Sequence, residues 1–300
     1  MEAGGHRPSL QTVSVSSAAV FSGTVCRDVK FLSDDRMECL DAYLPDSQVW
    51  SGPHPVVVVI HGGGWAKGDK AERRQVEISR DLAANGYAVF AINYRLTEFS
   101  GEILKSAPTR SCWPDCLHDC REALRFASTQ KAAWNLDPSR TALFGLSAGA
   151  HLALLCAVTT GHPELDRTDG SFPVSCVIYF YGVFKLPEIG ARWRFGELHP
   201  DPAAVRRQAS PATHLGTACP PVLVFHGDAD ATVPVTQSFE LSRRLEDLKV
   251  PHRTRILEAA PHGFGIRSEA GDLRREILMF LGDHAGRPIT VSSAADEVVS

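Results

Sequence analysis

Residues 55 to 60, PVVVVI, are unbrokenly apolar and run directly into HGGGWAKGDK. A run with no polar alternation predicts a strand buried on both faces, because a strand with one wet face would change character at every second residue. The same continuous pattern predicts strands in YAVFAINY (87–94), TALFG (141–145), PVSCVIYFYG (173–182) and PPVLVFHG (220–227), and RTRILEAA (253–260) reads as the last strand. CRDVKFL (26–32) and MECLDAYLP (37–45) alternate instead and are joined by a short turn, which predicts an antiparallel hairpin. Between the strands the period becomes helical. In KAERRQVEISRDLAANG (70–86), Val76, Ile78 and Leu82 fall on one side and Gly86 supplies the stop. WPDCLHDCREALRFAS (113–128) is a helix opened by Pro114. SAGAHLALLCAVTT (147–160), PVTQSFELSRRLEDL (234–248) and GDLRREILMFLGDH (271–284) complete the helices, while residues 95–112 read as an irregular connection.

Strands that alternate with helices call for an α/β fold: a mostly parallel, doubly wound sheet covered on both faces, here with an antiparallel N-terminal hairpin. The Ser/Gly-rich segment 1–22 and the tail 287–300 read as disordered, leaving one domain over 23–286. The mixed stretch of about 184–210, with its aromatics, prolines and arginines, reads as a small cap inserted between two strands.

Composition changes this picture little. With 44% hydrophobic and 22% charged residues in 300, a sizeable core is available without staples. A formal charge of -4, with no Lys/Arg cluster beyond isolated pairs such as Arg73-Arg74, Arg206-Arg207 and Arg243-Arg244, argues against a nucleic-acid partner. The N-terminus lacks a positive start followed by an apolar core, and no apolar run approaches the roughly 20 residues of a membrane span. Cytoplasmic residence is the expectation. The eight cysteines are too dilute for a disulfide scaffold. Cys112, Cys116 and Cys120 share one helix face, which fits either a metal or redox site or a buried apolar stripe. His118 lies off that face, so the buried reading is preferred and no metal is expected.

The chemistry concentrates in the turns. Gly145-Leu146-Ser147-Ala148-Gly149 is G-x-S-x-G between a predicted strand and a predicted helix, a context that lifts the serine hydroxyl clear of the sheet. The N–H of Ala148 and the positive end of the helix then face a developing oxyanion. A serine nucleophile needs a base oriented by an acid, and in such a sheet these follow in the order Ser, Asp or Glu, His at strand ends. HGDADATVP offers Asp228 and Asp230. Asp230 is preferred, since Asp228 directly follows Gly227 and suits capping of the turn. The next strand end, AAPHGFG, supplies His262. Gly63 and Gly64 account for the glycine run after the first buried strand: they present N–H donors without side chains that would block approach. His61 reads as a brace for that loop, and Trp65 as either a wall of the site or a packing anchor.

Taken together, His61-Gly62-Gly63-Gly64-Trp65, Asn93-Tyr94-Arg95-Leu96, Trp113-Pro114 with Asp119, the Ser147 motif, His226-Gly227-x-x-Asp230 with Val233-Pro234, and His262-Gly263-Phe264 resemble the α/β-hydrolase fold. Within it they resemble the hormone-sensitive-lipase-like and feruloyl-esterase-like carboxylesterases, over about residues 27–284. The resemblance implies a Ser147–Asp230–His262 triad, oxyanion donors at Gly63, Gly64 and Ala148, an acyl-enzyme intermediate, a small-molecule ester substrate and no cofactor. Two departures stand out: the connection Thr97–Cys112 is long and is expected to border the pocket, and Ala150 replaces a second glycine common in relatives. In the cap, Phe184, Trp193 and Phe195 are candidates to line the pocket, and Arg192 and Arg194 either meet a substrate carboxylate or are simply solvated. Three other readings share this fold: an amide or formamide hydrolase, a hydrolase of one specialised ester or lactone, and a non-catalytic small-molecule receptor.

Overall fold

The computed structural model describes residues 20–168, 172–186, 192–269, 271–288 and 290. Its strands are β1 (Thr24–Lys30), β2 (Cys39–Leu44), β3 (His54–Ile60), β4 (Ala88–Ile92), β5 (Glu98–Phe99), β6 (Pro108–Arg110), β7 (Leu136–Leu146), β8 (Cys176–Phe180), β9 (Val222–Gly227), β10 (His252–Leu257), β11 (Arg267–Ser268) and β12 (Gly271–Asp272). The helices are α1 (Arg73–Ala84), α2 (Asp115–Thr129), α3 (Ala148–Val158), α4 (Pro202–Gln208), α5 (Pro211–His214), α6 (Thr236–Asp247) and α7 (Arg274–His284). Eight strands form one sheet in the order β1-β2-β4-β3-β7-β8-β9-β10. β2 runs antiparallel to β1 and to β4, and every other pairing is parallel.

The two-residue period of β3 divides its side chains between two cores. Val56, Val58 and Ile60 pack with Leu117 and Leu124 of α2 and Leu152 of α3, whereas Val57 and Val59 pack with Ile78 and Leu82 of α1 and Ile277 and Leu281 of α7. Each fully buried valine or leucine of this kind contributes about 1.5–3 kcal/mol. α3 is buried from Ala148 to Ala157, which explains a sequence apolar all round rather than on one stripe. It lies under the point where the chain leaves β3 for β4 on one side and later returns to β7 on the other. At such a switch point the carboxyl ends of neighbouring strands open a crevice.

Several expectations shift. The connection 95–112 is not wholly irregular: β5 and β6 pair as a small antiparallel sheet. β7 begins at Leu136 because Leu136 and Asp137 already pair with His54 and Pro55, a start hidden by the polar sequence DPSR. The last helix begins at Arg274, since Gly271 and Asp272 pair with β11. Of the segment read as disordered, residues 1–19 lie outside the described residues, but Phe21 packs edge-on against Tyr43 and Ser22 donates to Asp46. At the other end, Thr290 bridges Trp50, and residues 291–300 lie outside the described residues. The stretch 184–210, expected as a cap, contains α4 and is followed by α5; residues 187–191 of it lie outside the described residues. No helix among the described residues is long and apolar enough to cross a membrane.

One buried ion cluster fixes the loop after β3 to the hairpin. The Asp41 carboxylate on β2 is fully buried and receives Lys70 Nζ at 2.6 Å, Arg27 at 3.0 Å and the Asp28 N–H at 3.0 Å. Lys70→Met strands that carboxylate, and is expected to lower the unfolding free energy by about 3 kcal/mol. Urea unfolding checks this; a loss below about 1 kcal/mol would mean that water and Arg27 suffice for Asp41.

Candidate active site

Ser147 stands between β7 and α3 with φ 53° and ψ -116°, a conformation that is strained for any residue with a Cβ. It is held there from both sides, its N–H donating to Phe180 O at 2.9 Å and its C=O receiving His151 N–H at 3.1 Å. Gly149 is the position that demands smallness. A Cβ there would collide with the backbone carbonyls of Ile60 and His61, so the first turn of α3 seats directly against the end of β3.

Ser147 Oγ lies 3.0 Å from His262 Nε2, and His262 Nδ1 lies 2.6 Å from Asp230 Oδ2. A carboxylate only accepts, so Nδ1 carries the ring proton and Nε2 presents its lone pair to the serine hydroxyl. The other oxygen, Oδ1, takes the N–H groups of Thr232 and Val233 at 2.8 and 2.9 Å. Burial pushes the Asp230 carboxyl up, but hydrogen bonds from His226, His262 and Val233 outweigh it and hold the group well below the usual carboxylate range. Sequence reasoning gave no role to His226. This fully buried ring at the end of β9 donates Nε2–H to Val233 O at 2.9 Å and to Asp230 Oδ2 at 3.2 Å, and meets Ser238 Oγ through Nδ1 at 2.7 Å. Tyr181 was also missed. It follows β8, places its ring 4.7 Å from His262, edge to face, and donates its hydroxyl to Phe264 O.

The glycine loop arches over the serine. Gly63 O accepts the N–H groups of Ala66 and Lys67 at 3.2 and 3.1 Å, closing a tight turn. Gly64 has φ 62°, and the indole of Trp193 lies where its Cβ would be. Ala148 is buried at the first position of α3. His61 acts as the expected brace: Nδ1 donates to Gly62 O at 2.7 Å, the ring stacks on Tyr94 at 4.4 Å, and burial lowers its pKa to about 4, so it is neutral at pH 7. Tyr94 in turn donates to His61 O at 3.0 Å. Asn93 accepts from the Lys70 N–H at 2.7 Å, and Asp119 accepts from the Arg95 N–H at 2.8 Å and from Arg36 at 2.6 Å. The motif residues outside the Ser147–His262–Asp230 hydrogen-bonded set therefore shape and anchor the loops around it.

Gly62, Gly63, Gly64, Ser147, Trp193 and His262 are among the residues lining a cavity of about 420 Å³. Of the four aromatic candidates only Trp193 reaches it. Trp65 is 1% exposed and acts as the packing anchor: its Nε1–H donates to His151 Nδ1 at 3.2 Å, and its ring meets Phe195 at 5.0 Å. Phe195 is correspondingly buried. Phe184 turns into the core beneath Arg244, because its N–H is held by Gln237 Oε1. The connection 97–112 does not line the cavity either. It supports the cap, with Ser106 O accepting from Arg194 at 2.5 Å. Arg194 is otherwise paired with Glu197, while Arg192 is exposed. Cys112, Cys116 and Cys120 are buried core thiols. Among the described residues, no group of three or more His, Cys, Asp or Glu side chains is arranged to hold a metal ion.

The BD-FAE family matches residues 40–245. The chain is 29% identical over 229 residues to the probable carboxylic ester hydrolase LipM of Mycobacterium tuberculosis, covering 70% of this chain and 49% of that one. It is 29% identical over 271 residues to the esterase LipC of the same organism, covering 83% and 62%. It thus spans about half to three-fifths of the length of these curated relatives. Among solved structures, a truncated carbohydrate esterase from gut microbiota shares the fold with a TM-score of 0.72 and 22% identity, covering 90% of this chain and 99% of that one.

Proposed function

The chain belongs to the BD-FAE family, and from that premise we propose that it is a serine hydrolase of carboxylic esters. The observation that carries the reading is the relay from Ser147 Oγ through His262 to Asp230, at 3.0 and 2.6 Å, with the serine on a strained strand-to-helix turn. In this mechanism Ser147 attacks the ester carbonyl as its proton passes to His262 Nε2. Asp230 stabilises the imidazolium without taking the proton, and the N–H groups of Gly63, Gly64 and Ala148 receive the oxyanion. Collapse of the tetrahedral species expels the alkoxide, which takes the proton from His262. Water then repeats the sequence on the acyl-enzyme and frees the acid. Side chains and water account for every proton and electron pair.

Similarity to a probable carboxylic ester hydrolase and an esterase supports an ester as the substrate, and a cytoplasmic, reducing setting belongs to the same reading: all eight cysteines are free thiols. The test is turnover of 4-nitrophenyl acetate, butyrate and octanoate beside an acyl 4-nitroanilide, together with labelling by a fluorophosphonate. Ester turnover well above anilide turnover, with the label on Ser147, is the expected result. Preferential anilide cleavage would reassign the enzyme to amides, and the absence of both turnover and label would remove the hydrolase reading.

A further inference from the structure

The cavity beside Ser147 has one wall that the reaction above leaves unused. The first turn of α1 forms it, presenting Glu72, Arg74 and Gln75, with Lys67 from the glycine loop alongside. Arg74 is unusual in this molecule. Every other described arginine or lysine that lacks an acceptor is solvent-exposed, whereas Arg74 is half-buried and has neither a carboxylate nor a carbonyl partner among the described residues. A guanidinium drawn partly out of water is ordinarily paired, because its five N–H donors lose solvent that must be replaced.

The guanidinium is close to the chemistry. Its Nη2 stands 3.6 Å from the place a Cβ would take on Gly263, the residue after His262, and its charge acts on the Tyr181 hydroxyl. Lys67, on the same wall, is exposed and also lacks an acid partner among the described residues. The positive end of α1 points the same way, with no side chain capping it. Gln75 is buried against the cavity, and its Oε1 has no hydrogen bond among the described residues, so this wall is polar rather than an acyl-chain surface. Of the acids nearby, Glu72 is exposed at the rim and Asp230 is taken up by its own donors behind His262. Glu258 and Glu269 line a separate hollow that shares only His262 and Gly263 with this one.

From this wall we infer that the ester cleaved here carries a carboxylate that docks on Arg74, with Lys67 adding long-range attraction. The inference rests on the ester-hydrolase reading and narrows its substrate class to anionic esters. The wall serves a carboxylate on either half of the ester, and matched probes separate the two.

The experiment uses the full chain and two pairs of esters, each matched in its chain or ring and differing in whether it carries a carboxylate. 4-Nitrophenyl hexanoate against mono-4-nitrophenyl adipate reports the acyl half; methyl 4-acetoxybenzoate against 4-acetoxybenzoate reports the alcohol half. In one pair the charged ester is expected to show kcat/KM about tenfold or more above its neutral twin, as one charge-assisted contact gives, mainly through KM. In Arg74→Gln that ratio should fall to about one, in Arg74→Lys it should fall only partly, and added salt should shrink it in the wild type. Thermal melts show whether each variant is folded. Neutral esters cleaved as well as or better than charged ones in both pairs would overturn the inference and leave the ester hydrolase standing. So would a preference that survives Arg74→Gln. Failure of the wild type to cleave any of the four esters, with no fluorophosphonate label on Ser147, would instead remove the reading beneath it.

Discussion

Ser147→Ala is expected to lower kcat toward 4-nitrophenyl butyrate by about 10⁵-fold or more while moving KM only slightly, and to abolish fluorophosphonate labelling. The size follows from geometry. The hydroxyl is the single nucleophile within hydrogen-bond reach of His262 Nε2 among the described residues, at 3.0 Å. Removing it leaves the histidine to activate a water that nothing positions. KM holds because the cavity walls, Trp193 and the glycine loop, do not depend on the hydroxyl. Stability should change by less than about 1 kcal/mol, since one hydrogen bond at the cavity floor is lost and alanine adopts the same strained turn at similar cost. Steady-state kinetics on protein freed of wild-type traces checks it. Residual turnover above about one per cent of wild type would move the nucleophile elsewhere.

How much of this was legible in the sequence depended on whether a residue's partner was near in sequence or in pattern. Val56 to Ile60 announces a buried strand because both faces are dry, and the fold follows from repeating that signal. β5 and β6, two and three residues long, have no room for a period and were invisible. Ser147, Asp230 and His262 stand out because each follows a strand and each is a residue type the proposed chemistry requires, and their side chains meet at 3.0 and 2.6 Å. The aromatic candidates fared worse, because a phenylalanine in a cap carries no sign of direction. Gln237, far along the chain, turns the Phe184 backbone inward, and His151 on α3 draws Trp65 into the core. His226 was in plain view within the H-G-x-x-D motif, four positions from Asp230, whose Oδ2 it meets at 3.2 Å, but its closer partners are the Val233 carbonyl and a serine twelve positions away, which nothing in the motif announces. Arg74 in sequence is one of an ordinary surface pair. Only its partial burial without an acceptor among the described residues, a property of packing, sets it apart from Arg73, which is exposed and paired with Glu77.

The second large effect concerns the acid of the relay. Asp230→Asn is expected to lower kcat about 10⁴-fold, with fluorophosphonate labelling slowed in parallel. The amide oxygen can keep the Thr232 and Val233 N–H groups, which fixes the NH₂ on the side now occupied by Oδ2. That position receives two donors, His262 Nδ1–H and His226 Nε2–H. The His226 proton cannot withdraw, because Val233 O accepts it at 2.9 Å and holds that tautomer. His262 can yield only by moving its proton to Nε2, which then points an N–H at Ser147 and leaves no base. The substitution also tests the electrostatics. A carboxyl held below its ordinary 3.8 contributes stability that is fully present above about pH 4 and is lost as the pH falls towards its folded value. Urea unfolding should therefore find wild type more stable than Asp230→Asn at pH 7 and the gap narrowing at pH 3. A variant that keeps more than about a tenth of wild-type kcat would mean that His262 is oriented by something other than this carboxylate.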